Sequence, residues 1–378
     1  MKNSNTESNG KTRGETPEAA RLVGVLTRLV RPFYLFRRKA PLPSYILGRF
    51  LTMGAMLFIL GLAVFGLMEL APGDMVDQIM LQQIFGENQA RAGQNQEAMD
   101  QEQLEAQRRS LGLDQPFYIQ YLNWLKRVIV HQDLGTSLIS RAPVSFLISS
   151  RLPNSILLNL ISLVLITLFS FLLGVYFSAK AGTKADLAVT FFALVLHAFP
   201  GILLLILLQL FAALSSLFPV TAYPTFPYAE APVRFVFSYG HHIFLPLLAS
   251  FLGGIGGTLR MIRATMLDQL GQPYITSLRS RGIAEWRVYL NHAFRNTLNP
   301  YITGSANLLA GLFSGSLILE IIFAYPGVGR LMYEAVLQED INLVLTNIMF
   351  VSFLVLLGMV LADILLALVD PRIRYGKE

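Results

Sequence analysis

Histidines are the side chains best suited to a metal or catalytic site in this chain, and their spacing does not favour one. The 378 residues include five histidines and no cysteine. Disulfides, thiolate nucleophiles and cysteine-containing metal sites are therefore excluded. His241 and His242 are adjacent, so on a helix they point about 100° apart, and neither has a histidine or carboxylate four residues away. We expect no metal site and no catalytic residue.

One tripeptide imitates part of a nucleotide-binding loop. Gly10, Lys11 and Thr12 match the end of a phosphate-binding motif, but that motif needs an earlier glycine where Asn5 stands, and an apolar strand before it. No other Gly-Lys-Ser/Thr tripeptide occurs in the sequence. We predict that the chain does not itself hydrolyse ATP and holds no cofactor.

A basic segment interrupted by a glycine is the most informative part of the sequence. Its arginines are Arg279, Arg281, Arg287 and Arg295. Pro273 suits a helix start, Gly282 suits the left-handed turn that ends a helix, and Glu285 suits the first turn of the next one. Two short helices at an angle are typical of DNA-binding motifs. Because this pair is tethered between apolar segments, we expect it to dock on a cytoplasmic protein instead.

A single acid precedes a turn-rich segment. Glu320 ends an uncharged run of 24 residues, and the apolar stretch after it contains Pro326 and Gly327. Such a stretch suits a loop that folds back into the outer mouth of a membrane pathway, where protein groups satisfy its backbone. Two hypotheses stay open: Glu320 acts in a gate or contacts a partner outside the membrane, or it forms a salt bridge that only fixes the loop.

Another acid, Asp363, lies within an apolar segment. It precedes Asp370 by seven residues, which is about 10 Å along a helix. An ionisable group at that depth faces a bundle interior or water. Asp363 either helps to set the polarity of a pathway or forms a structural hydrogen bond with a neighbouring helix.

Long apolar segments must position these residues. The sequence is 53% hydrophobic and 14% charged, whereas soluble domains carry about 25% charged residues. Six apolar stretches are long enough to cross a hydrocarbon core: 50–68, 152–179, 187–218, 235–259, 296–319 and 341–369. The first five carry no charge, and the last carries only Asp363. A soluble enzyme is excluded, and the sequence predicts an all-α polytopic membrane protein with six transmembrane helices.

Lysine and arginine set the orientation of these spans. Segments 1–49, 180–186, 260–295 and 370–378 hold 21 of the 30 basic residues. Both termini are therefore expected to be cytoplasmic. The net charge of +6 is explained by topology, and we expect no nucleic-acid partner.

Short motifs along the chain have the order and spacing of a known family. In the basic loop they are Arg279-Ser280-Arg281-Gly282, Glu285, Arg287-Val288, His292, Arg295-Asn296 and Pro300. Elsewhere they are Ala71-Pro72-Gly73-Asp74, Leu111 to Pro116, Asp133-Leu134-Gly135, Arg151-Leu152-Pro153, Gly315-Ser316, Glu320 with Ile322-Phe323, Pro326-Gly327 and Asp370-Pro371-Arg372. Together they resemble permease subunits of ATP-binding-cassette importers of the peptide/nickel family, over roughly residues 44–378.

The resemblance is closest to the peptide-type subgroup. The general permease loop begins with Glu-Ala-Ala, where this chain has Thr276-Ser277-Leu278, and only Gly282 agrees with that pattern. The extension at 1–43, with a basic amphipathic helix, lies outside the resemblance and is expected to be cytoplasmic. The resemblance implies a first transmembrane helix at 44–71. An extracytoplasmic loop with a Gln-rich insertion follows at 72–151, and the permease core at 152–378 contains the coupling loop 268–295.

The outer loop also contains an amphipathic stretch before the second span. Its apolar residues share one helical face: Phe117, Tyr121, Trp124, Leu125 and Val128. Such a face usually packs at the membrane boundary or on the top of a helix bundle. Direct contact with substrate is the alternative.

The family resemblance implies a non-catalytic transport subunit of a bacterial plasma (inner) membrane. Its partners would be a second, different permease, two cytoplasmic ATPases that use ATP and Mg²⁺, and an extracytoplasmic binding protein that delivers peptides. The implied ATPase-coupling residues are Arg279, Ser280, Arg281, Gly282, Ala284, Glu285 and Arg287. The pathway or gate candidates are Glu320, Pro326, Gly327 and Asp363. Import of nickel or another small solute, or a secondary transporter or channel, are the alternatives.

Overall fold

The computed structural model describes residues 41–70, 115–137, 139–298, 301, 311–312, 316–338 and 340–369. The amphipathic helix expected before residue 40, the Gln-rich insertion and the terminal Asp-Pro-Arg motif lie outside these ranges. The chain forms two compact units, Met1–Thr52 with Ile364–Glu378, and Met53–Asp363. The sites described below all belong to the second unit.

The described chain is helical, with one isolated bridge between Thr136 and Pro143. The long helices and their neighbours are α1 Pro41–Leu70, α2 Phe117–His131, α3 Val144–Ala179, α4 Lys184–Ala198, α5 Gly201–Ser215 and α6 Pro232–Leu270. The later elements are α7 Pro273–Ser280, α8 Glu285–Arg287, a π-helical turn Val288–Ala293, α9 Phe294–Thr297, α10 Leu317–Ile322, α11 Val328–Leu337 and α12 Ile341–Val369. The predicted all-α class is confirmed.

Within the described residues, four helices are long and apolar enough to cross a membrane, and a bent pair makes a fifth candidate. The four segments are Leu42–Leu67, Val144–Ala179, Pro232–Leu270 and Ile341–Ile364. The bent pair consists of α4 and α5, whose axes differ by 93°. The span expected at 296–319 falls largely outside the described residues, so a sixth span stays a prediction.

The bend between α4 and α5 differs from the single span expected at 187–218. Proline has no backbone N–H and disfavours a helical conformation of the residue before it. Phe199 accordingly has φ −74° and ψ 132°, and α5 begins directly after Pro200. The apolar run therefore forms two helices of 15 residues each.

Small residues bring α3 and α6 into close contact. Helix α3 begins at Val144, earlier than the boundary expected at residue 152, and continues through Pro153. A Cβ atom added at Gly174 would lie 2.6 Å from Cγ2 of Ile262. Close backbone approach at small residues is the usual way in which membrane helices pack. This contact holds α3 against the part of α6 that leads to the basic loop.

The amphipathic helix α2 packs with its aromatic face inward, as its pattern predicts. Tyr121 and Trp124 are buried and pack with Phe65 of α1 and Leu345 of α12. A Cβ atom at Gly61 would lie 2.3 Å from the Tyr121 ring. Helix α2 is therefore seated on the apolar helices, which matches the expected position on a helix bundle.

Candidate functional site

The basic loop after α6 folds into the expected helix, turn and second helix. Helix α7 begins at Pro273 and ends at Ser280. Gly282 has φ +72°, and its N–H donates to the Arg279 carbonyl at 2.9 Å, while the Ile283 N–H donates to the Leu278 carbonyl at 3.3 Å. These bonds satisfy carbonyls at the end of α7. The left-handed conformation that the sequence predicts at Gly282 is present.

The second half of the loop is anchored through a π-helical turn. Val288 and Ala293 are both fully buried and pack with Ile262 and Met266 of α6 and Ile275 of α7. Two residues five positions apart point in different directions on an α-helix but share a face where hydrogen bonds join i and i+5. The π turn therefore aligns both side chains with the core. A single apolar cluster joins the loop to α6.

The seven predicted coupling residues lie together on the exposed side of this loop. Arg279 Nε and Nη2 donate to the two carboxylate oxygens of Glu285 at 2.8 and 3.2 Å, across the turn at Gly282. The Glu285 carboxylate raises the pKa of the Arg279 guanidinium. Because the two side chains are 41% and 58% exposed, the pair adds little stability. Both charges are thus available to exchange partners at small cost.

The same surface contains a tryptophan that the motif comparison passed over. Trp286 is 58% exposed, and the guanidinium carbon of Arg287 lies 5.1 Å from its ring centroid. Exposed tryptophan and arginine are the residue types most enriched at the energetic centres of protein interfaces. A large aromatic residue among charges in a loop was the available sequence signal.

Glu320 is fully buried within α10, where its carboxylate accepts hydrogen bonds from two protein donors. Ser155 Oγ donates to Oε1 at 2.7 Å, and the Arg330 backbone N–H donates to Oε2 at 3.0 Å. Ser155 Oγ in turn accepts from the Val328 N–H at 2.8 Å. Among the described residues, a hydroxyl and a backbone amide hold the carboxylate. The salt bridge and the gate both stay predictions. No pattern in the sequence indicates Ser155 as the partner of Glu320.

The segment after Glu320, residues 323–329, is fixed to α3 and packed around the carboxylate. Asn154 Nδ2 donates to the Pro326 carbonyl at 2.9 Å, and the Tyr325 hydroxyl donates to the Asn154 carbonyl at 2.8 Å. Burial raises the pKa of that hydroxyl, which keeps it a neutral donor. A Cβ atom at Gly327 would lie 2.3 Å from Cδ of Glu320. Glu320, Pro326 and Gly327 are thus brought together as one site, the Glu320 network.

Asp363 is placed on α12, near the end of the candidate span Ile341–Ile364, where it is partly exposed. His197 of α4 packs closely against α6: a Cβ atom at Gly257 would lie 3.1 Å from its Nδ1. Across the residues that the structure describes, no three histidine, aspartate or glutamate side chains are grouped for a metal ion.

Sequence reasoning also missed an ion pair between α4 and α6. Asp186 Oδ1 and Oδ2 accept from Arg263 Nε and Nη2, both at 2.6 Å. The available signal was one acid and one base at the ends of neighbouring apolar stretches, on the side expected to be cytoplasmic. Their contact depends on how α4 and α6 pack, which spacing does not show.

Comparisons with known protein families agree along the chain. Residues 166–375 match the family described as "Binding-protein-dependent transport system inner membrane component". Residues 43–159 match the N-terminal membrane component of the same kind of system. The two matches together span the apolar helices described above.

Curated relatives are similar over nearly their whole length. The oligopeptide transport system permease protein AppB of Bacillus subtilis is 34% identical, over 88% of this chain and 99% of that protein. The inner membrane ABC transporter permease protein YejB of Escherichia coli O157:H7 and the dipeptide transport system permease protein DppB of Bacillus subtilis are each 29% identical, with the same coverage. A multi-pass location in the plasma (inner) membrane follows from the family and the helices. The chain belongs to the family of inner membrane components of binding-protein-dependent transport systems.

Proposed function

We propose that this chain is the non-catalytic transmembrane subunit of an ATP-driven importer of peptides or peptide-like compounds. It forms the pathway with a second permease, and an extracytoplasmic binding protein delivers the substrate. Two cytoplasmic ATPases supply ATP hydrolysis with Mg²⁺. The names of the relatives, which are oligopeptide and dipeptide permeases, support peptides as the substrate class.

The loop around Gly282 carries this proposal. Its outer side exposes charged side chains and Trp286, while its inner side packs on α6 through a fully buried apolar cluster. Mechanical coupling needs two parts: a surface that binds a moving partner, and a rigid connection from that surface to a span. Residues 268–295 are therefore the proposed docking loop, with Arg279, Arg281, Glu285 and Arg287 as its charges.

The finer topology belongs to the same proposal. Six spans with cytoplasmic termini would put the docking loop on the ATPase side and residues 72–151 on the outside. The excess of lysine and arginine in segments 1–49 and 260–295 supports this orientation. The Glu320 network would then lie at the outer mouth, where its buried carboxylate fixes the loop that lines the entrance.

Reconstitution tests the proposed function. Vesicles that contain this chain, a second permease, both ATPases and the binding protein are expected to take up labelled peptide only when ATP and Mg²⁺ are present on the ATPase side. Vesicles with this chain alone are the control and should take up none. Uptake by the chain alone under an ion gradient would instead indicate a secondary transporter.

Asp363 is proposed to contribute to the polarity of the pathway. A carboxylate partly exposed inside a span attracts the amino group of a passing peptide. In the same vesicles, the wild type is expected to prefer a free peptide over its N-acetylated form by about fivefold. Asp363→Asn should lose this preference while the complex still assembles. Asp363→Leu is the control, because it also removes any structural hydrogen bond of the side chain, and its assembly is compared with that of the Asn variant. Equal uptake of both peptides by the wild type and the Asn variant would reject the pathway role.

A further inference from the structure

The ion pair between Asp186 and Arg263 has a geometry that fixes two helices in one register. Both carboxylate oxygens receive a guanidinium N–H, and the Gly182 N–H donates a third bond to Oδ2 at 3.0 Å. The Asp186 side chain is 4% exposed and that of Arg263 is 21% exposed. Paired N–H bonds from one guanidinium to one carboxylate restrict orientation as well as distance. The first turn of α4 is therefore held at one position on α6.

The Arg263 end of this pair lies beside the core of the docking loop. Ile262, its neighbour, and Met266, one turn further on, are fully buried against Ile275 and Val288. The same turns of α6 thus contact the docking loop through apolar side chains and α4 through a charge pair. A displacement of the loop that moves these turns reaches α4 directly.

The other end of α4 is also tied to α6, at a place where the two backbones nearly touch. A Cβ atom at Gly256 would lie 2.4 Å from the Ala193 carbonyl oxygen and 3.0 Å from the His197 backbone nitrogen. Helix α4 therefore contacts α6 at both its first and last turns, so a movement of α6 can carry α4 with it. Beyond it, the bend at Pro200 turns the chain by 93° into α5.

Helix α5 forms one wall of an open apolar groove. The groove has a volume of about 430 Å³ and is lined by α5, α6 and the start of α10. Its walls include Leu204 and Leu205 of α5, Gly253 of α6 and Leu317 of α10. Any movement that α4 passes to α5 changes the width of this groove, beside the Glu320 network that follows Leu317.

We propose that Asp186 and Arg263 are positioning residues that transmit movement of the docking loop to α4 and α5. This inference rests on the proposed function. A buried ion pair is weak evidence for stability, because apolar residues of similar volume often replace such a pair without loss. An apolar contact is less directional than the paired N–H bonds from one guanidinium to one carboxylate. The pair thus sets the direction of transmitted movement.

The decisive variant is the double replacement Asp186→Leu with Arg263→Met, tested in the complete complex in vesicles. It leaves no unpaired buried charge, so assembly and ATP hydrolysis should persist. The amount of peptide transported per ATP is expected to fall by about tenfold or more. Glu334→Gln is the matched control, because it removes a 2.7 Å ion pair with Arg330 that joins α11 only to itself.

A distance measurement adds a readout that does not depend on peptide. Because the chain has no cysteine, spin labels can be placed at Leu214 of α5 and Leu337 of α11, both exposed. The label distance should change on ATP binding in the wild type and the control, and stay constant in the double variant. The positioning role would be overturned if the double variant showed the same distance change as the wild type, or if it transported as much peptide per ATP as the wild type. A wild-type complex that changes distance but moves no peptide would instead reject the substrate class.

Discussion

Replacement of Glu320 with alanine is expected to lower the free energy of unfolding by about 4 kcal/mol and to abolish uptake. The carboxylate is the acceptor for the Ser155 hydroxyl and the Arg330 N–H in a fully buried site. Each buried donor that loses its acceptor costs about 1–3 kcal/mol. Thermal unfolding of the purified complex and peptide uptake in vesicles measure the two effects.

Glu334→Ala is the matched control for this result. Glu334 is an acid of the next helix whose side chain is 37% exposed and paired with Arg330 four residues away, so its loss should cost less than about 1 kcal/mol. Equal stability and uptake in the two alanine variants would show that the Glu320 network is dispensable.

Glu320→Gln separates a residue that only fixes the loop from one that acts in a gate. The glutamine oxygen can accept from the Arg330 N–H while its NH2 group donates to Ser155, so the loop stays fixed without the charge. Normal stability with lost uptake in that variant would favour the gate.

The Glu320 network also predicts a specific non-additivity. Gly327→Ala places a methyl group 2.3 Å from the carboxylate carbon, which we expect to destabilise the chain by about 2 kcal/mol. In the Glu320→Ala background the methyl group has room, so its cost should nearly vanish. Gly240→Ala, where a Cβ atom meets nothing within 4 Å, controls for the loss of a glycine.

Gly282→Val is expected to leave membrane insertion and ATP hydrolysis intact while uptake falls by about tenfold or more. A left-handed conformation costs a side chain roughly 1–2 kcal/mol, and Gly282 has φ +72° with nothing within 4 Å of an added Cβ atom. The strain is therefore in the backbone, and its relief changes the angle between α7 and α8. The ratio of peptide transported to ATP hydrolysed measures the effect.

Gly282→Asn provides the control, because asparagine tolerates the left-handed region better than other side chains. It should retain most of the transport per ATP. Wild-type coupling in the valine variant would contradict the proposed role of the turn. Failure of that variant to insert would contradict it as well, since the added side chain has open space around it.

Features of this fold that depend on local sequence could be predicted. The apolar runs that begin after Arg49, Arg151 and Asp340 correspond to α1, α3 and α12. Pro273 and Gly282 gave the start of α7 and the turn after it, because both act through their own backbone conformations. The inward face of α2 followed from helical spacing alone.

Features that depend on packing between distant segments could not be predicted. The bend at Pro200 follows from a known rule, yet the apolar run around it was long enough to hide two helices within one expected span. The side-chain partner of Glu320 is Ser155, a small polar residue 165 positions away. Serine is common in membrane helices, so its presence in α3 does not point to this contact. The pairing of Asp186 with Arg263 likewise depends on which helices are neighbours.

The π-helical turn determines how the docking loop tolerates changes of chain length. Val288 and Ala293 both reach the core because the turn accommodates one residue more than an α-helix would. Deletion of an exposed residue between them, such as Leu290, leaves them four positions apart, which is the spacing that puts two side chains on one face of an ordinary α-helix. A deletion of a single residue is therefore absorbed at this turn, and the buried face of the loop keeps its alignment with α6.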